Sequence, residues 1–104
     1  MKGIIWYWHR SSGLARFEQL LHEYDMAHIA CTKRRNSSFE VSATFDNGDT
    51  WRLAPANDHS RGQICNIGLI ERSVPEDIVN EVIFPCIKGY PYRAYNYYSL
   101  GDSE

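Results

Sequence analysis

The segment that most constrains this 104-residue sequence is an alternating run with a turn at its centre, FEVSATFDNGDTWRL over residues 39–53. Apolar and polar residues alternate on both sides of the Asp-Asn-Gly turn, which predicts a half-buried β-hairpin. A two-residue Asn-Gly loop would place Phe45 opposite Thr50, an apolar residue opposite a polar one. A three-residue loop with a glycine bulge instead places Ala43 opposite Trp51, so that large apolar residues share one face. We therefore predict the bulged turn.

Helical and extended patterns alternate on both sides of this hairpin. Aromatic and β-branched residues over 3–8 predict a first strand, and apolar residues at helical spacing over 14–24 predict a helix after it. Residues 26–32 and 64–70 are predicted strands, and the apolar residues of 78–83 form one face of a second helix. The order predicts an α/β or α+β fold, in which a small mixed sheet contains the hairpin and packs against two helices.

Short polar motifs predict where both helices begin. Ser11 or Ser12 is the expected N-cap of the first helix, because a serine hydroxyl can accept a hydrogen bond from a free backbone N–H. Ser73 and Glu76 have the spacing of a capping box for the second helix. Each predicted helix therefore starts soon after a predicted strand.

Length and composition indicate a single folded domain over 1–104, divided into an α/β core over 1–87 and a tyrosine-rich C-terminal arm over 88–104. The cysteines Cys31, Cys65 and Cys86 are odd in number and widely spaced, which argues against a disulfide framework or a zinc site. No signal peptide or membrane-spanning run is found in the sequence. We expect a soluble protein of a reducing, cytosolic compartment, with no membrane partner.

The charge distribution gives one candidate contact region. The net charge of −2 provides no overall attraction to nucleic acid. Basic residues nevertheless outnumber acidic ones up to residue 35, and Lys33, Arg34 and Arg35 are consecutive. We interpret these three residues as a basic turn, which is either a contact for an anion or an ordinary solvated turn.

Four features in chain order carry a resemblance to a known family. A helix precedes the hairpin with its Asn-Gly turn, and a polar loop then ends in Arg61-Gly62. An apolar strand over 65–71 follows and ends in Glu71, and an acidic helix-forming segment with a proline comes next. This succession, over about residues 11–87, resembles the ATPase core of the large terminase subunit of tailed phages. The resemblance implies a reduced P-loop-like core, a phage or prophage origin, and the cytoplasm of a bacterial host as the location.

The departures from that family bear on catalysis. Phosphate binding there needs G-x-x-x-x-G-K-[ST], and no glycine of this chain is followed by Lys-Ser or Lys-Thr. Glu71 falls where the family has its magnesium-binding aspartate, and Arg72 falls where it has the catalytic glutamate. A protonated arginine cannot accept a proton from an attacking water. Arg61 matches an arginine that can complete a neighbour's site in such motors. We therefore predict no catalytic residue, no cofactor and no metal site.

The C-terminal arm concentrates aromatic residues. Tyrosine offers a large apolar face and a hydroxyl, which suits a binding surface, and flanking cations could help it to stack on a base. An edge strand that closes the small core, or a segment that forms a homodimer, explains the same composition. The residues of this feature within the arm are Tyr90, Tyr92, Arg93, Tyr95, Tyr97 and Tyr98.

The sequence thus predicts a non-enzymatic phage or prophage accessory or anti-defence protein that binds a host protein or a nucleotide-like ligand. One alternative is a nucleic-acid-binding module that uses the basic turn and the tyrosines. A second alternative is a metal-dependent nuclease or an ATPase completed by a partner. The candidate contact residues are Arg61, Glu71, Arg72, Lys33, Arg34, Arg35 and the six residues of the arm named above.

Overall fold

A computed structural model of the chain describes residues 1–88 and 94–99. Its six described strands form one mixed sheet in the order β2-β3-β4-β1-β5-β6, which confirms the predicted fold class. The strands are β1 (Lys2–Tyr7), β2 (Cys31–Asn36), β3 (Val41–Phe45), β4 (Thr50–Pro55), β5 (Ile67–Glu71) and β6 (Ala94–Tyr98). Helix α1 spans Arg10–Met26, and the second helical segment, α2, runs as an α-helical turn over Glu76–Ile78, a π-helix over Val79–Ile83 and a 3-10 turn over Phe84–Cys86.

The centre of the sheet is parallel and one side is antiparallel. Strand β1 pairs in parallel with both β4 and β5, and β5 pairs in parallel with β6. Strands β2, β3 and β4 are antiparallel neighbours. The carboxyl ends of β4, β1, β5 and β6 therefore lie at one edge of the sheet. Because α1 follows β1 on one face and α2 follows β5 on the other, the chain changes face between β1 and β5.

The predicted bulged turn between β3 and β4 is confirmed. Ala43 is the partner of Trp51 in the register, and the Phe45 N–H donates to the Asp49 carbonyl at 2.9 Å. Gly48 has a φ of +94°, the left-handed conformation that the bulge requires. The large apolar residues of the hairpin consequently share the face that α1 covers.

The core under α1 contains a short hydrogen-bonded chain of side chains. The Trp51 indole N–H donates to the Tyr24 hydroxyl at 2.9 Å, and that hydroxyl donates to Asp49 Oδ2 at 2.7 Å. Burial, reinforced by the Asp49 carboxylate, raises the pKa of Tyr24 to about 12. Gly3 leaves the room for Trp51, since a Cβ at Gly3 would lie 2.4 Å from the indole ring. The principal buried residues here are Ile5, Phe17, Leu20, Val41, Ala43, Phe45, Trp51 and Leu69.

The core under α2 covers a narrower part of the sheet. Ile4, Trp6 and Ile70 of the two central strands pack against Val79 and Ile83 of α2, and all five side chains are buried. No residue of β2 or β3 belongs to this cluster, and β4 contributes from its carboxyl end. The face of β2, β3 and the first half of β4 opposite α1 is therefore left open by the described residues.

Three predictions about the elements were wrong. Helix α1 continues to Met26 and the second strand begins at Cys31, so the predicted basic turn is the edge strand β2. Neither predicted serine caps α1, whose N-cap is His9 without a side-chain hydrogen bond. The capping box at Ser73 does not form, because α2 begins after Pro75 and the Ser73 hydroxyl bonds to Glu71 instead.

Candidate functional site

Glu71 lies at the carboxyl edge of the sheet, where β5 ends beside the end of β1. Its carboxylate reaches the loop between β1 and α1, and Oε1 accepts hydrogen bonds from the backbone N–H groups of Trp8 at 2.9 Å and His9 at 3.0 Å. The Nδ1 atom of His9 lies 2.9 Å from Oε2, and the Ser73 hydroxyl donates as well. Glu71 is only 4% exposed. The carboxylate is thus held by donors of the chain itself.

The electrostatics of Glu71 follow from this geometry. Burial alone would raise its pKa, but hydrogen bonds from His9, Trp8 and Ser73 outweigh burial and hold the pKa of Glu71 below its ordinary value. The side chain is therefore an ionised acceptor at neutral pH. Because an ionised carboxylate only accepts hydrogen bonds, the Nδ1 of His9 carries the proton that it shares with Oε2.

The contacts of Glu71 lie at a position that is a common ligand site in open α/β sheets. In open sheets of this kind, ligands bind beside the carboxyl ends of the strands where the chain changes face. Here that position lies between β1 and β5, and the loop N–H groups of Trp8 and His9 that point into it are bonded to Glu71. The connection between β1 and α1 at Trp8 and His9, which lies where a phosphate-binding loop would lie, is thus held by a carboxylate of the chain.

The two arginines of the predicted site are not brought together with Glu71. The Arg72 guanidinium lies 5.8 Å from the centre of the Tyr97 ring, and its backbone N–H donates to the Tyr98 carbonyl at 2.9 Å. Arg61 pairs with Asp58 at 3.0 Å and donates to the Glu81 carbonyl of α2 at 3.1 Å. Arg61 therefore lies on the α2 side, whereas the Glu71 side chain lies on the α1 side.

The basic segment is placed differently from the prediction. Strand β2 is an edge strand whose six residues are all exposed. Arg34 is the cross-strand partner of Ala43, so it lies on the α1 side, where it forms an ion pair with Glu18. Lys33 and Arg35 are the partners of Thr44 and Ser42 and lie on the opposite, open face. The three consecutive basic residues thus divide between the two faces of the sheet.

The open face carries further polar and basic residues that sequence reasoning missed. Arg52 of β4 is exposed and is the cross-strand partner of Ser42. Lys2 of β1 is also exposed and is the cross-strand partner of Thr50. A shallow depression of about 250 Å³ lies between them. Glu40 brings a negative charge to its rim, where it lies 3.9 Å from Arg35. We call this surface the open basic face; its residues are Lys2, Lys33, Arg35, Ser42, Thr44, Thr50 and Arg52.

The alternation of apolar and polar residues in the hairpin indicates where this surface lies. The polar positions of β3 and β4 must face away from α1, and a basic β2 in the observed register adds its charges to them. Because the sequence predicts a turn over residues 33–35, it gives no indication that these residues form a strand of this surface.

The described residues of the tyrosine-rich arm include one buried tyrosine and two partly exposed ones. Strand β6 pairs with β5, so the sheet extends beyond residue 87. Tyr98 is buried and its hydroxyl donates to the Trp6 carbonyl at 2.9 Å, which makes it a core residue and corrects its prediction as a contact residue. Tyr95 and Tyr97 are partly exposed and pack edge to face with centres 6.0 Å apart. The predicted contacts Tyr90, Tyr92 and Arg93 lie outside the described residues.

Two further properties concern metals and membranes. Within residues 1–88 and 94–99, no three His, Cys, Asp or Glu side chains converge in a way that could hold a metal ion. The helices of the same residues include none that is long and apolar enough to cross a bilayer. Cys65 and Cys86 are buried free thiols, and Cys31 is an exposed one.

Comparisons of the chain with family models, with curated proteins and with solved structures found no match. The terminase resemblance therefore stays a prediction that depends on the residues quoted for it.

Proposed function

We propose that this chain acts by binding another protein through the open basic face, and that it catalyses no reaction. The observation that carries the proposal is the group of exposed cations Lys2, Lys33 and Arg52 on a sheet face that α2 leaves uncovered. Among the described residues, none of these three side chains forms an ion pair. A partner with acidic side chains would complement this charge, which favours fast and specific association.

The non-catalytic part of the proposal is supported by the state of Glu71. This glutamate is the residue that the terminase resemblance aligns with a metal-binding carboxylate. Its two oxygens accept hydrogen bonds from Trp8, His9 and Ser73, so coordinating an ion would require these bonds to break. Arg72, at the position of the family's catalytic base, cannot accept a proton. A host protein is accordingly our proposed partner, in a phage accessory or anti-defence role that depends on the resemblance.

The same observation makes a nucleotide-like ligand the weaker choice. A phosphate group would need the loop N–H groups of Trp8 and His9, which are the donors that a helix-opening loop offers to an anion. Both are bonded to Glu71. By contrast, Lys2, Lys33 and Arg52 of the open basic face form no ion pair with the described residues.

The nucleic-acid alternative needs cations and stacking aromatic rings in one groove. Lys33 and Arg35 lie on β2, and Tyr95 and Tyr97 lie on β6, at the two opposite edges of the sheet. Five strand spacings separate these edges, which is about 24 Å. The described residues thus do not combine the two groups of side chains, which favours a protein partner.

The test compares what the protein captures with and without one charge of the open basic face. The full chain, its Lys33→Glu variant and a Lys88→Glu control would be immobilised and exposed to bacterial lysate, and bound proteins would be identified by mass spectrometry. Lys88 is exposed and lies outside the open basic face. We expect a protein that the wild type and the control recover, and whose recovery falls about tenfold with Lys33→Glu, as for the loss of a strong charged contact.

Two further measurements separate the alternatives. Small molecules released from the purified chain by heat would reveal a nucleotide-like ligand, and titration with a labelled single-stranded oligonucleotide at several salt concentrations would reveal steeply salt-dependent nucleic-acid binding. Hydrolysis of ATP or cleavage of DNA by the purified chain, abolished in Glu71→Gln, would contradict the non-catalytic proposal. Equal capture of every protein by the wild type and Lys33→Glu would contradict the role of the open basic face.

A further inference from the structure

The outer edge of β2 has backbone groups that point away from the sheet. The Ser37 N–H donates to the Glu40 carbonyl at 2.9 Å, which marks this pair as hydrogen-bonded at the end of the β2–β3 hairpin. Hydrogen-bonded and non-hydrogen-bonded pairs alternate along an antiparallel ladder. In the observed register, Arg35 and Lys33 therefore direct their backbone groups toward β3, whereas Arg34 and Asn36 direct theirs outward.

Nothing in the described part of the chain covers this edge. Strand β2 ends the sheet, and the described residues provide no hydrogen-bond partner for the backbone groups of Arg34 and Asn36. The adjoining turn presents Phe39, whose side chain is 97% exposed. An edge strand with free backbone groups and an exposed aromatic neighbour is the kind of surface to which an extended peptide adds as a further strand.

The positive charges of β2 determine which kind of strand can pair with its outer edge. Basic residues on an edge strand oppose pairing with another basic strand, and a second copy of β2 would place Lys33, Arg34 and Arg35 against their own like charges. An acidic strand would gain from the same positions, because alternate acidic side chains on the open side would lie beside Lys33 and Arg35. Arg34 is already paired with Glu18 on the other side.

We propose that the partner binds by adding an extended segment with acidic residues at alternate positions to the edge of β2. This inference rests on the proposed function and specifies the chemistry of the partner. The backbone of Arg34 and Asn36 supplies the hydrogen bonds, and the acidic side chains lie over Lys33 and Arg35. The contact is confined to one six-residue strand, so the charges and the exposed Phe39 add to a short ladder.

The probe is a capped peptide, Thr-Glu-Val-Glu-Val-Glu-Thr, titrated into the ¹⁵N-labelled full chain. A peptide with lysine in place of each glutamate is the charge control. We expect the amide signals of Arg34 and Asn36 to shift more than those of Lys33 and Arg35, because only the first two face outward. The lysine peptide should not bind.

Two changes test the backbone pairing separately from the charges. Asn36→Pro removes an outward N–H without touching the ladder to β3, and Asn36→Ala is the matched control. Methylating the amide nitrogens of the valines in the peptide blocks antiparallel addition, and methylating those of the glutamates blocks parallel addition. We expect Asn36→Pro and one of the two methylated peptides to bind about tenfold more weakly, as for the loss of interfacial hydrogen bonds.

The outcomes distinguish this inference from the proposed function. If both methylated peptides bind as tightly as the parent peptide while Lys33→Glu weakens binding, strand addition is wrong and the open basic face still binds acidic chains. If Lys33→Glu binds the parent peptide as tightly as the wild type does, the proposed function fails as well. The peptide modifications decide the matter even if Asn36→Pro does not fold.

Discussion

At the scale of single residues, Glu71 joins two strand ends that lie 62 residues or more apart in the chain. Its carboxylate satisfies the N–H groups of Trp8 and His9 at the point where β1 turns into α1. A buried group with several charged hydrogen bonds contributes stability only while it is ionised. The sign of its pKa shift therefore fixes the pH range in which this contact stabilises the fold.

Replacing this side chain by its neutral isostere tests that role. Glu71→Gln should lower the free energy of unfolding by about 1.5–3 kcal/mol at pH 7, because the negative charge that strengthens the hydrogen bonds from Trp8 and His9 is lost and an NH₂ group replaces one of the two acceptor oxygens. Because the pKa of Glu71 is lowered by folding, its contribution is present above the ordinary glutamate pKa of about 4.3 and is lost as pH falls through the folded value. Urea unfolding of both proteins at pH 7 and pH 3.5 measures the difference, which should shrink at the lower pH.

The exposed Glu76 at the start of α2 provides the control. Glu76→Gln should change stability by less than about 0.5 kcal/mol. A Glu71→Gln protein as stable as the wild type at pH 7 would contradict the structural role of the carboxylate.

The position of Glu71 was predictable from the sequence, and its contacts were not. The family resemblance singled out the end of an apolar strand, which is where the residue lies. The donors to its carboxylate come from a loop more than sixty residues earlier, and no local pattern carries that separation. Ser73 lies only two residues from Glu71, but its spacing to Glu76 predicts a capping box, whereas its hydroxyl bonds to Glu71.

At the scale of elements, the local sequence pattern predicts the β3–β4 hairpin but not the neighbouring edge strand β2. The alternation over 41–53 predicts both the buried face and the bulged turn, because one face of each strand is covered by α1. The prediction was wrong at Phe39, which lies in the turn before β3 and is exposed. Strand β2 is exposed along its whole length, so no alternation of hydrophobicity marks it. Its strand conformation is set by pairing with β3, which is a tertiary effect.

The turn itself provides a test at this scale. Gly48→Ala should lower the free energy of unfolding by about 1–2 kcal/mol, the cost of a left-handed conformation for a residue with a Cβ. No atom lies within 4 Å of the position of that Cβ, so the cost comes from the backbone alone. Gly48→Asn should cost clearly less, because asparagine tolerates this conformation. Thermal or urea unfolding of the three proteins compares them, and equal losses for Ala and Asn would contradict this account of the turn.

At the scale of the whole molecule, the two cores lie on opposite faces of the same central strands. Ile4 and Trp6 of β1 belong to the α2 side, whereas Ile5 between them belongs to the α1 side. A loss of packing on one face therefore weakens the strands on which the other face depends. We expect the two cores to unfold together.

Removing a buried side chain from the α2 side tests this expectation. Ile83→Ala should lower the free energy of unfolding by about 2–5 kcal/mol, since the side chain is fully buried. With fluorotryptophan incorporated, ¹⁹F resonances of Trp6 on the α2 side and Trp51 on the α1 side should show the same shifted urea midpoint. The exposed Ile64→Ala control should change it little. Separate midpoints for the two resonances would contradict a single cooperative unit.

The place of β1 in the sheet also determines how the protein can be made. Strand β1 leaves the ribosome before its two partner strands, because Lys2 pairs with Thr50 of β4, 48 positions later, and Gly3 pairs with Ile67 of β5, 64 positions later. A nascent chain that ends before β5 presents an apolar central strand with an unpaired side, a form prone to aggregation. Synthesis must therefore pass Ile70 before β1 can pair on both sides.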